Sequence, residues 1–353
     1  MAQNWACFEL KGLRVLSKRR RLSELSPEEL ATHVLAGDRA ALARSITLIE
    51  STRDDHQVMA QEVLARVLPQ TGRAVRVGLS GAPGVGKSTF TEAFGRYLTG
   101  TDKKVAVLAI DPSSARTGGS ILGDKTRMEE LSRDPNAFIR PSPASGTLGG
   151  VARRTREAML LVEAAGFDVV IVETVGVGQS ETSVADMVDM FILLLSPGGG
   201  DELQGIKRGI MELADMVIVN KADGDLLMPA KRSAAEYKGA LHLMRPKYDG
   251  WTAEVLLTSA LKNNGIAEVW EAITRFRGIL DAAGDLAALR SSQSKAWMWT
   301  ELRAGLLHLV HEAPAARAAL PELESDVMAG RMTPTVAAQK LLKMVAAGLS
   351  ARS

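Results

Sequence analysis

Apolar residues along this chain fall into three successive rhythms. Between Ser26 and about Gly72 they recur at three- and four-residue spacing, the pattern of amphipathic helices. Ser26-Pro27-Glu28-Glu29 reads as a capping box with proline at the first helical position. Gly37-Asp38 ends that helix and caps a second one through Leu42, Ile46 and Ile49. From Ala74 to about Ile279 the rhythm changes to short β-branched runs separated by helical stretches. Val75–Leu79, Val105–Ile110, Phe138–Arg140, Val169–Val172, Met190–Leu195, Met216–Val219 and Val255–Thr258 are the candidate strands. Their near-continuous apolar character predicts an α/β fold, a mostly parallel sheet flanked by helices. Beyond about Asp281 strand signals cease. Trp299, Leu302, Leu306 and Leu309 make one helical stripe, and Pro334 to Leu349 a second amphipathic stretch. Two or three short helices leave apolar faces that must pack on the α/β domain or on a second subunit. The chain therefore divides into a leader (1–25), an N-terminal helical extension (26–73), a nucleotide-binding α/β domain (74–280) and a C-terminal helical region (281–353).

Composition changes this picture little. Of 353 residues 46% are hydrophobic and 24% charged, with a net charge of +2, so neither a nucleic acid nor a membrane surface is expected as a partner. The apolar stretch Met190 to Leu195 falls far short of the roughly 20 residues of a membrane span. A single cysteine, Cys7, excludes an internal disulfide framework and points to a reducing compartment, hence a cytoplasmic location. The leader carries Arg14, Lys18, Arg19, Arg20 and Arg21 against one acid, Glu9. A disordered basic leader or an upstream start site accounts for it more simply than a targeting peptide does, though both remain open.

Chemistry concentrates just after the candidate strands, where open α/β sheets bind ligands. Gly81-Ala82-Pro83-Gly84-Val85-Gly86-Lys87-Ser88 matches the phosphate-loop pattern without a gap, and Thr89 continues its turn. Its glycines let backbone N–H groups turn toward phosphate oxygens, Lys87 adds charge at the terminal phosphates, and Ser88 is placed to ligate Mg2+. Asp111, Asp124 and Glu173 follow at strand ends or in the next loop. Carboxylates beside a triphosphate need a cation between them, which makes these three the further metal candidates. Asn220-Lys221-Ala222-Asp223 follows another strand. A carboxylate there accepts two hydrogen bonds from guanine that adenine does not offer, so GTP and GDP are the expected ligands. Ser259-Ala260, after the last strand, reads as the backbone loop that completes base recognition.

Four stretches resemble the MeaB/ArgK family of P-loop GTPases: Asp111-Pro112-Ser113-Ser114, Gly118 to Met128, Glu173 to Glu181, and Gly199 to Lys207. The likeness runs over roughly residues 26 to 350. It implies a chaperone of adenosylcobalamin-dependent methylmalonyl-CoA mutase or a related acyl-CoA mutase. Its GTPase cycle would gate cofactor loading and protect the mutase from inactivation. A homodimer joined through the C-terminal helices is implied as well. A cobalamin adenosyltransferase is a further partner left open, and no cobalamin is expected on this chain itself. The resemblance assigns Asp111–Met128 to switch I, Glu173–Glu181 to switch II, with Gly176 at the terminal phosphate, and residues 199–212 to a third switch facing the mutase.

Small GTPases place a water-orienting glutamine directly after the switch II glycine, whereas here Val177 follows Gly176. Gln179 is near enough to take that role if the loop reshapes, and a surface position fits it equally. Slow intrinsic hydrolysis, raised when a partner orders the loops, is the expectation, with Lys207 the candidate for stabilising phosphate charge. A P-loop kinase and a nickel-type insertion GTPase are the competing readings. The first lacks a recognisable acceptor lid. The second lacks the usual histidine and cysteine cluster, since only His308 and His311 share helical spacing.

Overall fold

The computed structural model describes residues 25–111, 128–143, 148–174, 180–197 and 208–350. Three helices come first: α1 (Pro27–Leu35), α2 (Arg39–Glu50) and α3 (Asp54–Val67). Ser26 caps α1 through the box read from the sequence, its Oγ accepting from Glu29 N at 3.1 Å and its own N–H donating to Glu29 at 3.0 Å. Asp38 caps α2 by accepting from the N–H groups of Ala40 and Ala41.

Strands β1 (Val75–Ser80), β2 (Val105–Asp111), β3 (Ala137–Pro143), β4 (Val169–Thr174), β5 (Met190–Leu195), β6 (Met216–Val219) and β7 (Glu254–Leu257) alternate with helices. Those helices are α4 (Lys87–Thr99), α5 (Glu129–Arg133), α6 (Leu148–Ala164), α7 (Ser180–Ala185), α8 (Arg208–Leu213) and α9 (Leu227–His242). All seven strands pair in parallel in the order β3-β2-β4-β1-β5-β6-β7. Because every strand points the same way, every carboxyl end meets at one edge of the sheet. The ends of β2, β4 and β1 stand side by side, those of β6 and β7 likewise, with only β5 between the two groups.

Alternate residues of each strand serve opposite faces. Ala106, Leu108, Ile110, Val170 and Val172 pack with α1, α2, α3 and α6, while Val105, Val107, Val169 and Ile171 pack with Phe90, Phe94 and Leu98 of α4. Along β5 all six residues are buried. With both faces apolar, hydrophobic alternation does not fix strand register. Polar clasps at the strand starts do. Asp168, Asp189 and Asp215 each sit one residue before a strand, β4, β5 and β6 respectively. Asp168 donates its N–H to Lys104 O and accepts Lys104 N–H on its carboxylate, both at 2.8 Å. Asp189 makes the same pair with Arg76 at 2.9 Å, and Asp215 with Phe191 at 2.8 Å.

The chain ends in four helices, α10 (Ile266–Ala283), α11 (Asp285–Glu312), α12 (Pro314–Met328) and α13 (Pro334–Ser350). Short helices were the expectation here, but α11 runs unbroken for 28 residues. Its first turns latch onto the sheet. Arg290 donates to both Asp189 oxygens at 2.8 and 2.7 Å, and to the carbonyls of Gly72 and Ala74. Beside it Arg76 makes a two-pronged pair with Glu163 at 2.7 and 2.9 Å. Burial works against the Arg290 charge, yet its contact with Asp189 holds the guanidinium above its ordinary pKa. Further along α11, Trp299, Leu302, Leu306 and Leu309 stay exposed. No helix among the described residues is long and apolar enough to cross a membrane.

Candidate nucleotide site

The loop from Gly81 to Gly86 joins β1 to α4 at the carboxyl edge of the sheet. Two glycines in it are dictated by space. A Cβ on Gly81 would lie 2.2 Å from Leu194 O, so the loop can lie against β5 only without a side chain. Gly86 has φ 92° and a Cβ there would meet Asn220 Nδ2 at 2.8 Å, so both conformation and room exclude other residues. The first turn of α4 then points its free N–H groups and positive dipole end into the loop. Ala82 is half-buried and Val85 buried, whereas Pro83, Gly84 and Thr89 are exposed.

Lys87 lies buried at the helix start. Its ammonium donates to Gly81 O at 2.6 Å and Ala82 O at 3.0 Å. Burial lowers its pKa, opposed by the nearby carboxylates of Glu173 and Glu181. Ser88 donates from Oγ to Glu173 Oε1 at 3.2 Å, and Thr91 Oγ1 to Glu173 Oε2 at 3.0 Å. Next to Glu173, Thr174 Oγ1 and Ser80 Oγ are 3.0 Å apart, tying the ends of β4 and β1.

The Asn220 turn is bonded to this loop directly. Asn220 donates from Nδ2 to Val85 O at 3.1 Å. Its Oδ1 accepts from Thr258 Oγ1 and from Ala260 N, both at 3.1 Å. Lys221 takes a left-handed conformation, φ 58°, and donates from Nζ to Gly84 O at 2.6 Å. Ser259 donates to Asp223 Oδ2 while accepting Lys262 N–H, which orients the carboxylate through the turn that follows β7. A carboxylate has about four acceptor positions, so one hydroxyl leaves Asp223 capacity for a base.

Ser88 and Glu173 thus come together, as do Lys87 and the loop carbonyls, and Asn220, Asp223, Ser259 and Ala260. Asp111 is the last residue of β2, one position earlier than a loop residue would be, and its side chain lies outside the described residues. Asp124, Gly176, Gln179 and Lys207 also lie outside them. Sequence reasoning missed Thr91, which the three-residue spacing from Ser88 places on the same helical face. A hydroxyl and a carboxylate at the phosphate-loop helix suit Mg2+, a hard cation that takes one or two carboxylates and fills its remaining positions with phosphate and water. Among the described residues no group of three His, Cys, Asp or Glu gathers as an all-protein metal cage.

Phosphate loop, helix start and Asn220 turn form one hydrogen-bonded unit at the sheet edge, and this makes the chain a P-loop nucleotide-binding protein. Within that class it belongs to the family of methylmalonyl-CoA mutase-associated GTPases, MeaB, whose family model matches residues 42–315. It is 57% identical over 320 residues to a putative GTPase of Caulobacter vibrioides, covering 90% of this chain and 97% of that one. It is 51% identical over 326 residues to the mouse methylmalonic aciduria type A homolog, a mitochondrial protein, covering 90% and 79% of the two chains. Among solved structures, an LAO/AO transport system kinase superposes with a TM-score of 0.73 at 40% identity, over 90% of this chain and 97% of that chain.

Proposed function

We propose that this protein binds and hydrolyses GTP with Mg2+ and couples that cycle to an adenosylcobalamin-dependent acyl-CoA mutase, methylmalonyl-CoA mutase foremost. The cycle gates cofactor loading and protects the mutase from inactivation. The family match over residues 42–315 carries the reading, joined by the name of the mouse relative. The bonded site gives it a physical basis. Asp223, oriented by Ser259, reads the guanine edge. The loop N–H groups and Lys87 hold the phosphates, Lys87 exchanging its bonds to Gly81 O and Ala82 O for phosphate oxygens. Ser88 and Glu173 would hold Mg2+, with Asp111 and Asp124 as further donors, and the bound ion would supply positive charge beside the phosphates. Gly176 meets the terminal phosphate, and Gln179 and Lys207 complete the hydrolytic geometry once a partner orders their loops. Residues 281–353 join two copies into a homodimer through the exposed stripe on α11. A cobalamin adenosyltransferase is a candidate third component, and the single cysteine favours the cytoplasm.

GTP hydrolysis by the purified protein, alone and with saturating mutase, tests this, with ATP as the control nucleotide. The expected result is slow basal turnover of GTP, raised severalfold by the mutase, with ATP left intact. Turnover indifferent to any mutase removes the partner from the proposal. Preferential use of ATP, with phosphate passed to a small acceptor, would instead support a kinase, the activity in the name of the LAO/AO relative.

A further inference from the structure

Serine and threonine hydroxyls inside helices usually bond the carbonyl four residues back. In this protein Thr32, Ser45, Thr47, Thr274, Ser294 and Thr300 all do so, at 2.9 to 3.0 Å. Thr91, in the second turn of α4, departs from that habit. Its Oγ1 reaches off the helix to Glu173 Oε2 at 3.0 Å across the β4 end. Both partners are buried, Thr91 fully and Glu173 to 6% exposure. The other oxygen, Oε1, faces Ser88 Oγ at 3.2 Å.

We propose that Thr91 is a positioning residue for the metal-side carboxylate. Its hydroxyl holds Oε2 and so fixes the plane of Glu173, keeping Oε1 turned toward Ser88 and the phosphate loop. A β-branched side chain with its methyl in a closed core has little rotameric freedom, so the hydroxyl cannot swing away. Its loss removes one restraint on the last torsion of the carboxylate, a broad and soft one. Partners one step removed from a metal typically alter affinity about 10–100-fold when lost, and Thr91 stands in that relation to the ion. This inference rests on the reading of Ser88 and Glu173 as the Mg2+ side of the site.

The test is a Mg2+ titration of fluorescent GDP binding to the full chain, comparing wild type, Thr91→Val, Thr91→Ser and Glu173→Gln. For Thr91→Val, the Mg2+ concentration at half effect rises about tenfold or more. GDP affinity in excess EDTA stays near wild type, whereas a merely structural role would weaken binding with and without Mg2+ alike; losing the buried hydrogen bond lowers the thermal midpoint in either case. Thr91→Ser, which keeps the hydroxyl, titrates like wild type. If Thr91→Val gives no folded protein, Thr91→Cys replaces it with the same expectation, its thiol being a weak donor. A Val or Cys variant that titrates like wild type while Glu173→Gln is weakened overturns the role of Thr91 alone. Should Glu173→Gln itself leave the titration unmoved, the metal-side reading of Glu173 falls and the inference falls with it.

Discussion

Asn220 spends one amide group on three hydrogen bonds, to Val85 O, Thr258 Oγ1 and Ala260 N. It is 2% exposed, so none of these partners has water to fall back on. Removing the amide leaves buried polar groups unpaired, at about 1–3 kcal/mol each. Asn220→Ala is therefore expected to weaken GDP binding at least about tenfold, since about 1.4 kcal/mol corresponds to that factor. A fluorescent GDP titration beside a thermal melt checks it. An affinity near wild type would show that loop and turn hold their places independently. Much at this scale was legible beforehand, because the phosphate loop and the Asn220 turn are local motifs whose spacing carries their chemistry. What stayed hidden were partners far apart in the chain. Glu173 and Thr91 are separated by 82 positions, and nothing in the sequence says which strand end a helical threonine faces.

At the scale of elements, the candidate strands were visible as apolar runs, with ends shifted by up to three residues: Phe138–Arg140 extends to Ala137–Pro143, and Val255–Thr258 becomes Glu254–Leu257. Periodicity reports burial, and a strand continues wherever a neighbour supplies backbone partners. The clasping aspartates escaped notice because an acid before an apolar run looks like a solvated loop charge. Asp189 and Asp215 are both buried, and burial shifts the Asp215 carboxyl. It raises that group above the ordinary value of 3.8, against the opposing charge of Lys247 at 2.9 Å. A raised folded pKa means the native state binds the proton more tightly than the unfolded chain does. This contribution to stability is full below the unfolded pKa and is lost as pH rises through the folded one. Asp215→Asn retains a carbonyl to accept Phe191 N–H but cannot titrate. Urea denaturation at a series of pH values from 4 to 7 should show wild-type stability falling relative to the variant as pH increases. A constant difference across the series would refute the assignment to Asp215.

At the scale of the whole molecule, the parallel sheet gathers the nucleotide residues at one edge, and the long helix α11 grips the other. The strand order was not legible, since apolar runs carry no label for their neighbours. The helical stripe on α11 was, and its exposure in a single copy agrees with the proposed second subunit. Replacing Leu302 and Leu306 together by glutamate is expected to convert a dimer to a monomer in sedimentation, with GDP affinity retained. A dimer that survives both charges would move the interface elsewhere. The Arg290 latch has a different kind of consequence, one of timing. It closes Gly72, Ala74 and Asp189 with a residue that leaves the ribosome long after all three. Until then the Asp189 carboxylate keeps its bond from Arg76 N–H and lacks the guanidinium. The nucleotide edge is complete in sequence at Ala260, thirty residues before Arg290, while the clasp beneath the sheet waits for the last fifth of the chain. A growing polypeptide passes through a stage in which its ligand site is complete in sequence and its foundation is still unlocked. Nascent-chain chaperones, or early nucleotide capture, have their opportunity in that interval.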